Sequence, residues 1–202
     1  MRISRNITFF SLVTLLLLGS CSTRKLFSKR YYLENEKALT AIEQDYKAIY
    51  AKKAFSLGFT DRSFNTVSVE IITDSLKYIY DFEGTENRMQ DTLLKYGLPV
   101  KPVMQLIRDM RSIKCIWINN LDYYVNNQKR QLVFMSIRPV SVHLPFSSEK
   151  YYILSFYAQP QYFDSEGLLL DNRKQRKLRK VNGEIFHRIN DKVCYTISGS
   201  FR

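Results

Sequence analysis

The chain has 202 residues, with 31 Lys and Arg against 19 Asp and Glu, and its formal net charge is +12 at pH 7. Such a basic balance often indicates nucleic-acid binding, but the first twenty residues are typical of an export signal, which argues against a nucleic-acid partner. A basic exported protein instead favours an anionic partner, such as lipid headgroups, lipopolysaccharide phosphates or an acidic protein.

The N-terminus has the layout of a signal peptide. Arg2 and Arg5 form a short positive region, and Ile7–Leu18 is an apolar core interrupted only by three hydroxyl residues. A membrane-spanning helix needs about 20 apolar residues, so this core is short for a span. The pattern therefore predicts a signal peptide rather than a transmembrane helix.

The signal core ends in Leu18–Cys21, an aliphatic residue, two small residues and a cysteine. This tetrapeptide resembles the lipobox of bacterial lipoproteins. The resemblance implies that the Cys21 thiol carries a diacylglyceryl group, that cleavage occurs before Cys21, and that the new amine is acylated. Because one chain binds a membrane only marginally, at about 0.8 kcal/mol per buried methylene, two or three chains make the anchor stable.

The lipobox also divides the chain. Residues 1–20 are the expected signal peptide, 21–30 a lipidated tether spanning at most ~30 Å, and 31–202 a single α+β domain. Cleavage leaves 182 residues (202 − 20), enough for one domain with a hydrophobic core. Ser22 stands where an Asp favours inner-membrane retention in enterobacterial lipoproteins, so the resemblance implies the outer membrane. We expect the domain to face the periplasm.

The domain begins with a predicted helix over Asn35–Phe55, ended by Gly58. Apolar residues recur there at steps of three and four, namely Leu39, Ile42, Tyr46 and Ile49. The pattern then changes to period two over Phe64–Ile72 and Leu76–Phe82, which predicts a β-hairpin. Two shorter helices follow in the prediction, one from a Thr85 cap to Gly97 and one opening near Pro102.

The chain is β-rich beyond these helices. Strands are predicted at Lys114–Asn119, Arg130–Arg138 and Lys150–Ala158, and a terminal hairpin at Glu184–Ile189 and Val193–Ser198. Because strands adjacent in sequence usually pair, the predicted fold class is α+β. It consists of a mostly antiparallel sheet, with the long N-terminal helix and the two shorter helices packed on one face.

The order of elements gives two alternatives for the fold. Two strands, two helices and three strands are similar in order to a PAS-type sensor domain, which would imply an enclosed apolar pocket for a small molecule. No motif carries this likeness, and the terminal hairpin departs from it. The alternative is a curved antiparallel sheet wrapped on the first helix, as in cystatin-like folds.

The chemistry-bearing residues give few leads. The two histidines are His143, in a loop pattern, and His187, on a strand face typical of a half-buried histidine. Neither histidine is spaced from a nucleophile in a recognisable catalytic motif. Because a catalytic triad needs only spatial proximity, an envelope hydrolase with a site assembled by the fold stays an alternative. We expect no metal and no cofactor.

Two further cysteines follow the lipidation site. Cys115 and Cys194 both fall in predicted strands, and neighbouring strands could bring them together as a disulfide, which the periplasm permits. Alternatively, they are two separate buried thiols that pack as small apolar groups.

A basic segment is the remaining candidate site. Six of the eight residues over 173–180 are basic: Arg173, Lys174, Arg176, Lys177, Arg179 and Lys180. Such a run must be solvent-exposed, because unpaired charges are too costly to bury. It is either a solvated loop or an anion-binding loop that contacts lipid or an acidic partner.

These observations favour a non-catalytic lipoprotein of the envelope, held on its membrane by lipid. It would bind a protein partner or an anionic envelope component, and the sequence leaves its oligomeric state open.

Overall fold

A helix of 48 residues, α1, runs over Ile3–Tyr50 and begins the chain. The computed structural model describes residues 3–84, 87–125, 128–137, 151–163, 165, 167–169 and 186–199, with the backbone alone for 3–26 and 124–125. The chain divides into two compact units, Met1–Glu36 and Lys37–Arg202.

The first unit consists of the N-terminal part of α1. The helix runs without a break through the predicted signal core and the tether. The signal core is rich in leucine, which is a good helix former. A ten-residue tether that is helical rises only about 15 Å, half the expected maximum. Arg30 Nε donates to Glu34 Oε1 at 2.7 Å, one helical turn on. Within the described residues, no helix is both long and apolar enough to cross a membrane.

The second unit begins with the rest of α1. Its predicted core positions Leu39, Ile42, Tyr46 and Ile49 are all buried. The helix ends at Tyr50 rather than at the predicted Phe55, and Phe55–Phe59 forms a strand, β1. The helical prediction for Phe55 is therefore wrong. Every residue of β1 is buried, although Phe55, Leu57 and Phe59 alternate with the smaller Ser56 and Gly58.

Seven further strands and two helices follow. Their bounds are β2 Thr66–Ile72, β3 Lys77–Glu83, α2 Asn87–Lys95, α3 Val100–Ser112, β4 Cys115–Val125, β5 Gln128–Ile137, β6 Tyr151–Tyr157, β7 His187–Arg188 and β8 Val193–Ser198. The strands form one sheet in the order β3-β2-β1-β4-β5-β6-β8-β7, and every pair is antiparallel. The predicted α+β class is confirmed, and so are both hairpins, although β7 is shorter than predicted.

The three helices pack on one face of the sheet. The Tyr46 ring of α1 lies 5.1 Å from the ring of Phe55, and the Arg111 guanidinium of α3 lies 5.6 Å above the ring of Phe59. Tyr96, which follows α2, lies 5.8 Å from the ring of Tyr80. Phe55, Phe59 and Tyr80 pair with residues 71, 67 and 69 of β2. Because these partners are two residues apart along one strand, all three side chains lie on the same face of the sheet.

The opposite face carries a second apolar cluster. Its members, buried on β4, β5, β6 and β8 or in the chain before β7, are Ile116, Trp117, Tyr123, Leu132, Phe134, Tyr151, Ile153, Tyr157, Phe186 and Cys194. Half-buried side chains from loops, such as Phe163 and Leu169, pack against it. The sheet is therefore buried on both faces over its central strands, which explains the low contrast of its sequence pattern.

Candidate functional site

An open groove lies in the second unit, where the C-terminal end of α1 meets the sheet. Its volume is about 630 Å³. The residues that line it come from α1 and the turn after it, from β4 and β5, and from the residue after β6: Tyr46, Lys47, Tyr50, Ala51, Asn120, Lys129, Arg130, Gln131 and Ala158. Three of these nine side chains are cations and none is an anion, so the groove is basic.

Tyr46 forms the rigid part of this groove. Its side chain is fully buried, and its hydroxyl donates to the carbonyl oxygen of Phe55 at 2.6 Å. Burial raises the pKa of Tyr46 well above its usual value, despite the opposing effect of the Asn120 backbone amide. The hydroxyl therefore stays neutral, and Tyr46 acts as a fixed link between α1 and β1.

Tyr50 lies one helical turn after Tyr46. The two rings lie 5.6 Å apart and are tilted by 43°. Tyr46 is held by its hydrogen bond, while Tyr50 is only half-buried and presents part of its ring to the groove. A tyrosine in such a position offers an apolar ring surface together with a polar hydroxyl.

The cations of the groove have partners of different kinds, since Glu43 is only 14% exposed, Asp122 is 45% exposed and Gln128 is neutral. Lys47 Nζ lies 2.5 Å from Glu43 Oε1 along α1, and Lys129 Nζ lies 2.9 Å from Asp122 Oδ2 across the β4–β5 ladder. Arg130 Nη2 donates at 2.8 Å to the amide oxygen of Gln128. Arg130 has no acidic partner among the described residues, and exposed ion pairs contribute only about 0–1 kcal/mol.

This charge arrangement suits an anionic ligand. An anion bound inside the groove would meet Lys47 and Lys129, which lie within 2.9 Å of the carboxylates of Glu43 and Asp122 respectively. Arg130 contributes at the rim, because its strand register directs the side chain toward the opposite face of the sheet. A guanidinium can bind a phosphate or carboxylate through two parallel hydrogen bonds. Lys52 and Lys53, in the turn after α1, add positive charge close by in the chain.

Sequence reasoning did not find this groove. Its cations lie on a helix and on a strand that are distant in sequence, and only the sheet register brings them together. Arg130 was assigned only to the predicted strand Arg130–Arg138, and Lys129 lay just before it. The basic segment chosen instead, Arg173–Lys180, lies outside the described residues, so its anion-binding role stays a prediction.

The structure describes only some of the other predicted site residues. Cys21 belongs to α1, where the structure describes its backbone but not its side chain. His143 lies outside the described residues. His187 on β7 is half-buried and stacks on Tyr195, with ring centroids 5.1 Å apart. In the described part of the chain, no group of three or more His, Cys, Asp and Glu residues could hold a metal ion.

The predicted alternative of a disulfide between Cys115 and Cys194 is wrong. No disulfide joins the two residues, and both side chains are fully buried. Cys115 is on β4 and Cys194 on β8, and β5 and β6 lie between these strands in the sheet. Strands are about 4.8 Å apart, so three strand spacings separate the thiols by far more than a disulfide can span.

Comparison with known proteins gives no match to a family model, to a curated protein or to a solved structure.

Proposed function

We propose that this protein is a lipid-anchored lipoprotein of the bacterial cell envelope and that its domain binds an anionic envelope component in the basic groove. The Leu18–Cys21 motif supports the anchor, on the outer membrane and facing the periplasm. The groove supports the binding. No catalytic step is part of this proposal.

One observation carries the binding part. Lys47 and Lys129 line a concave site, and Arg130 lies at its rim without an acidic partner in the described residues. An incoming phosphate can compete with Asp122 for Lys129 at little cost, because that pair is exposed and therefore weak, while Lys47 can bind the phosphate and stay paired with the largely buried Glu43. Charge-assisted hydrogen bonds to the phosphate are about twice as strong as neutral ones.

The partly exposed ring of Tyr50 favours a sugar phosphate over a bare ion. Tyr46 is fixed by its bond to Phe55, and Tyr50 shows part of its ring beside it. Aromatic rings provide apolar contact area for the faces of a sugar at low conformational cost. The proposed ligand class is therefore a phosphorylated saccharide, as found in lipopolysaccharide cores.

The binding experiment uses the mature lipidated protein in nanodiscs of uncharged lipid. Its probe is deacylated lipopolysaccharide core oligosaccharide, measured by titration calorimetry with and without its phosphates. The test variant combines Lys47→Gln, Lys129→Gln and Arg130→Gln. The matched control combines Lys101→Gln, Arg108→Gln and Lys192→Gln, which removes three exposed positive charges elsewhere.

We expect the groove variant to weaken binding about tenfold or more, since each lost charge-assisted bond is worth about 1.5–3 kcal/mol. The control should bind almost as the unmodified protein does, and dephosphorylated probe should bind weakly to all three. Equal weakening in the test and control variants would show general charge attraction and overturn the groove. Affinity capture from native membranes with the same variants would reveal whether the anion belongs to a protein partner.

A further inference from the structure

The edge strand β3 carries an unusual amount of exposed apolar surface. It is the first strand in the sheet order, and among the described strands it pairs only with β2. Leu76 is 57% exposed and Ile79 is 54% exposed, and Tyr78 is also exposed. An edge strand with exposed apolar residues and open backbone groups can pair with another strand.

The hydrogen bonds of the hairpin show which backbone groups are open. The amide of Gly84 donates to the Asn65 carbonyl at 2.8 Å, and the amide of Thr73 donates to the Leu76 carbonyl at 2.9 Å. These pairs bracket the β2–β3 ladder, in which hydrogen-bonded and non-hydrogen-bonded pairs alternate. The backbone groups that point away from β2 therefore belong to Lys77, Ile79, Asp81 and Glu83.

The side chains of this edge are self-complementary about Ile79. If two β3 strands pair antiparallel with Ile79 on a two-fold axis, residue numbers at opposing positions sum to 158. Lys77 then faces Asp81 of the second copy, twice by symmetry, and the two Ile79 side chains face each other. Tyr78 faces Tyr80 of the second copy on the helix-covered face. The outward backbone groups fall opposite each other in this register, as a hydrogen-bonded ladder requires.

The charges at the edge fit this pairing. Asp81 is exposed and has no ion-pair partner among the described residues. Lys77 Nζ lies 2.6 Å from Glu70 Oε2, yet half of the Lys77 side chain stays exposed to solvent. Opposite charges directly across a strand pair are favourable and like charges are unfavourable, so this pattern favours the two-fold register.

Tyrosines next to the edge are already ordered. The hydroxyls of Tyr80 and Tyr96 are hydrogen-bonded at 2.5 Å, and the rings of Tyr78 and Tyr80 each lie 5.8 Å from the ring of Tyr96. Side chains held in this way lose little further freedom when a second strand packs against them. Leu94 on α2 is also exposed and lies close to them in the chain.

We propose that a second copy of this chain pairs with β3, joining two eight-stranded sheets into one continuous antiparallel sheet across a two-fold axis at Ile79. The pairing is independent of the groove, because no groove residue belongs to β3.

The first experiment measures self-association of the mature lipidated protein in detergent micelles by sedimentation, with the detergent density-matched. Asp81→Lys places two like-charge pairs across the axis, and Ile79→Lys places two like charges on it. Each should raise the dimer dissociation constant several-fold, since a cross-strand pair contributes roughly 0.2–1 kcal/mol. The Lys77–Asp81 pair occurs twice, whereas the Ile79 pair on the axis occurs once. The effect should be larger at low salt.

Glu83→Lys is the matched control. It makes the same charge change on the same strand, but in this register position 83 faces Ser75 of the second copy. It should change the dissociation constant little. Equal weakening by Asp81→Lys and Glu83→Lys would overturn the register centred on Ile79, and a monomer at all concentrations would overturn the dimer.

A second measurement does not depend on the strength of association. Ile79→Cys should give a covalent dimer under mild oxidation, because the two introduced thiols face each other across the axis. Tyr162→Cys, at a position that is 85% exposed, is the control and should form no covalent dimer. Equal cross-linking of both variants would indicate random collision and overturn the proposal. Circular dichroism of each variant checks that the domain is folded.

Discussion

The Trp117 ring of β4 lies directly over Gly58 of β1. A Cβ atom built on Gly58 would come within 2.2 Å of Trp117 Cε3 and 2.4 Å of the Ile116 carbonyl oxygen. The glycine is thus required by space rather than by backbone conformation. It allows the largest side chain of the core to cross the β1–β4 pair.

Gly58→Ala should therefore destabilise the domain strongly. The Ile116 carbonyl is backbone and cannot move aside cheaply, so the strands must separate or the indole must leave its position. Overpacking of this kind costs about 1–3 kcal/mol, and we expect the upper end. Chemical unfolding followed by Trp117 fluorescence measures it. Gly199→Ala is the control, with no atom within 4 Å of the new Cβ, and an equal loss there would contradict the steric argument.

Tyr46→Phe tests the link between α1 and β1. In the β1–β4 ladder, Leu57 pairs with Ile118 and Gly58 pairs with Trp117. The Phe55 carbonyl lies beyond this ladder and accepts a hydrogen bond from the Tyr46 hydroxyl instead. Loss of this bond leaves a buried carbonyl without that donor, at a cost of about 1–3 kcal/mol. Urea unfolding should show the loss, whereas Tyr50→Phe should be nearly neutral. A Tyr46→Phe variant as stable as the parent would show that water replaces the hydroxyl.

The parts of the fold that the sequence predicted are those with clear periodicity. The β2–β3 hairpin alternates in polarity because one side of β3 faces solvent, and α3 places Val103, Leu106, Ile107 and Met110 on one buried face. β1 was missed although Phe55, Leu57 and Phe59 alternate with Ser56 and Gly58, because five residues are too few to set this pattern apart from the helix before it. Its Gly58 also resembled a helix stop.

The candidate groove was beyond sequence reasoning for a different reason. Lys47 looks like an ordinary exposed helix residue that pairs with Glu43, and Lys129 and Arg130 look like the polar start of a strand. Their convergence depends on α1 ending beside β4 and β5. No local pattern records that arrangement, whereas a run such as Arg173–Lys180 attracts notice by local density alone.

Asp61 gives a prediction about pH. Its carboxylate accepts backbone amides from Ser63 at 3.0 Å, Asn65 at 2.8 Å and Thr66 at 2.7 Å in the loop before β2. Burial alone would raise the pKa of Asp61, but these amides outweigh it and the pKa is lowered. The stabilisation is therefore present above the ordinary carboxyl pKa of about 3.9 and is lost as pH falls through the folded-state value.

Asp61→Asn should thus be less stable than the parent at pH 7, and the difference should shrink below about pH 4. Thermal unfolding of both proteins between pH 3 and pH 7 measures this convergence. Asp109→Asn, on the exposed face of α3, is the control for a general charge effect. A difference that stays constant over the whole range would show that the carboxylate charge is not what orders the loop.

The buried thiols predict a simple count. Burial raises the pKa of the Cys115 thiol to about 12, so it stays protonated and unreactive at neutral pH. If Cys21 carries lipid as proposed, the folded protein should therefore react very slowly with a thiol reagent at pH 8. After unfolding in guanidinium without reductant, two thiols should react, from Cys115 and Cys194. A count of zero would mean that a disulfide forms in the envelope despite the strand separation.

Cys21→Ser tests the anchor, on which the envelope location depends. If Leu18–Cys21 is a lipobox, the hydroxyl cannot replace the thiol in lipid transfer, and the variant loses all of its acyl chains. Each buried methylene contributes about 0.8 kcal/mol to membrane binding, so the loss moves the protein from the membrane fraction to a soluble or unprocessed form. Metabolic labelling with a palmitate analogue, followed by fractionation, measures both effects. Ser22→Ala, one residue beyond the motif, is the control and should keep label and location. Label retained by Cys21→Ser would place the lipid elsewhere and remove the basis for the lipoprotein assignment.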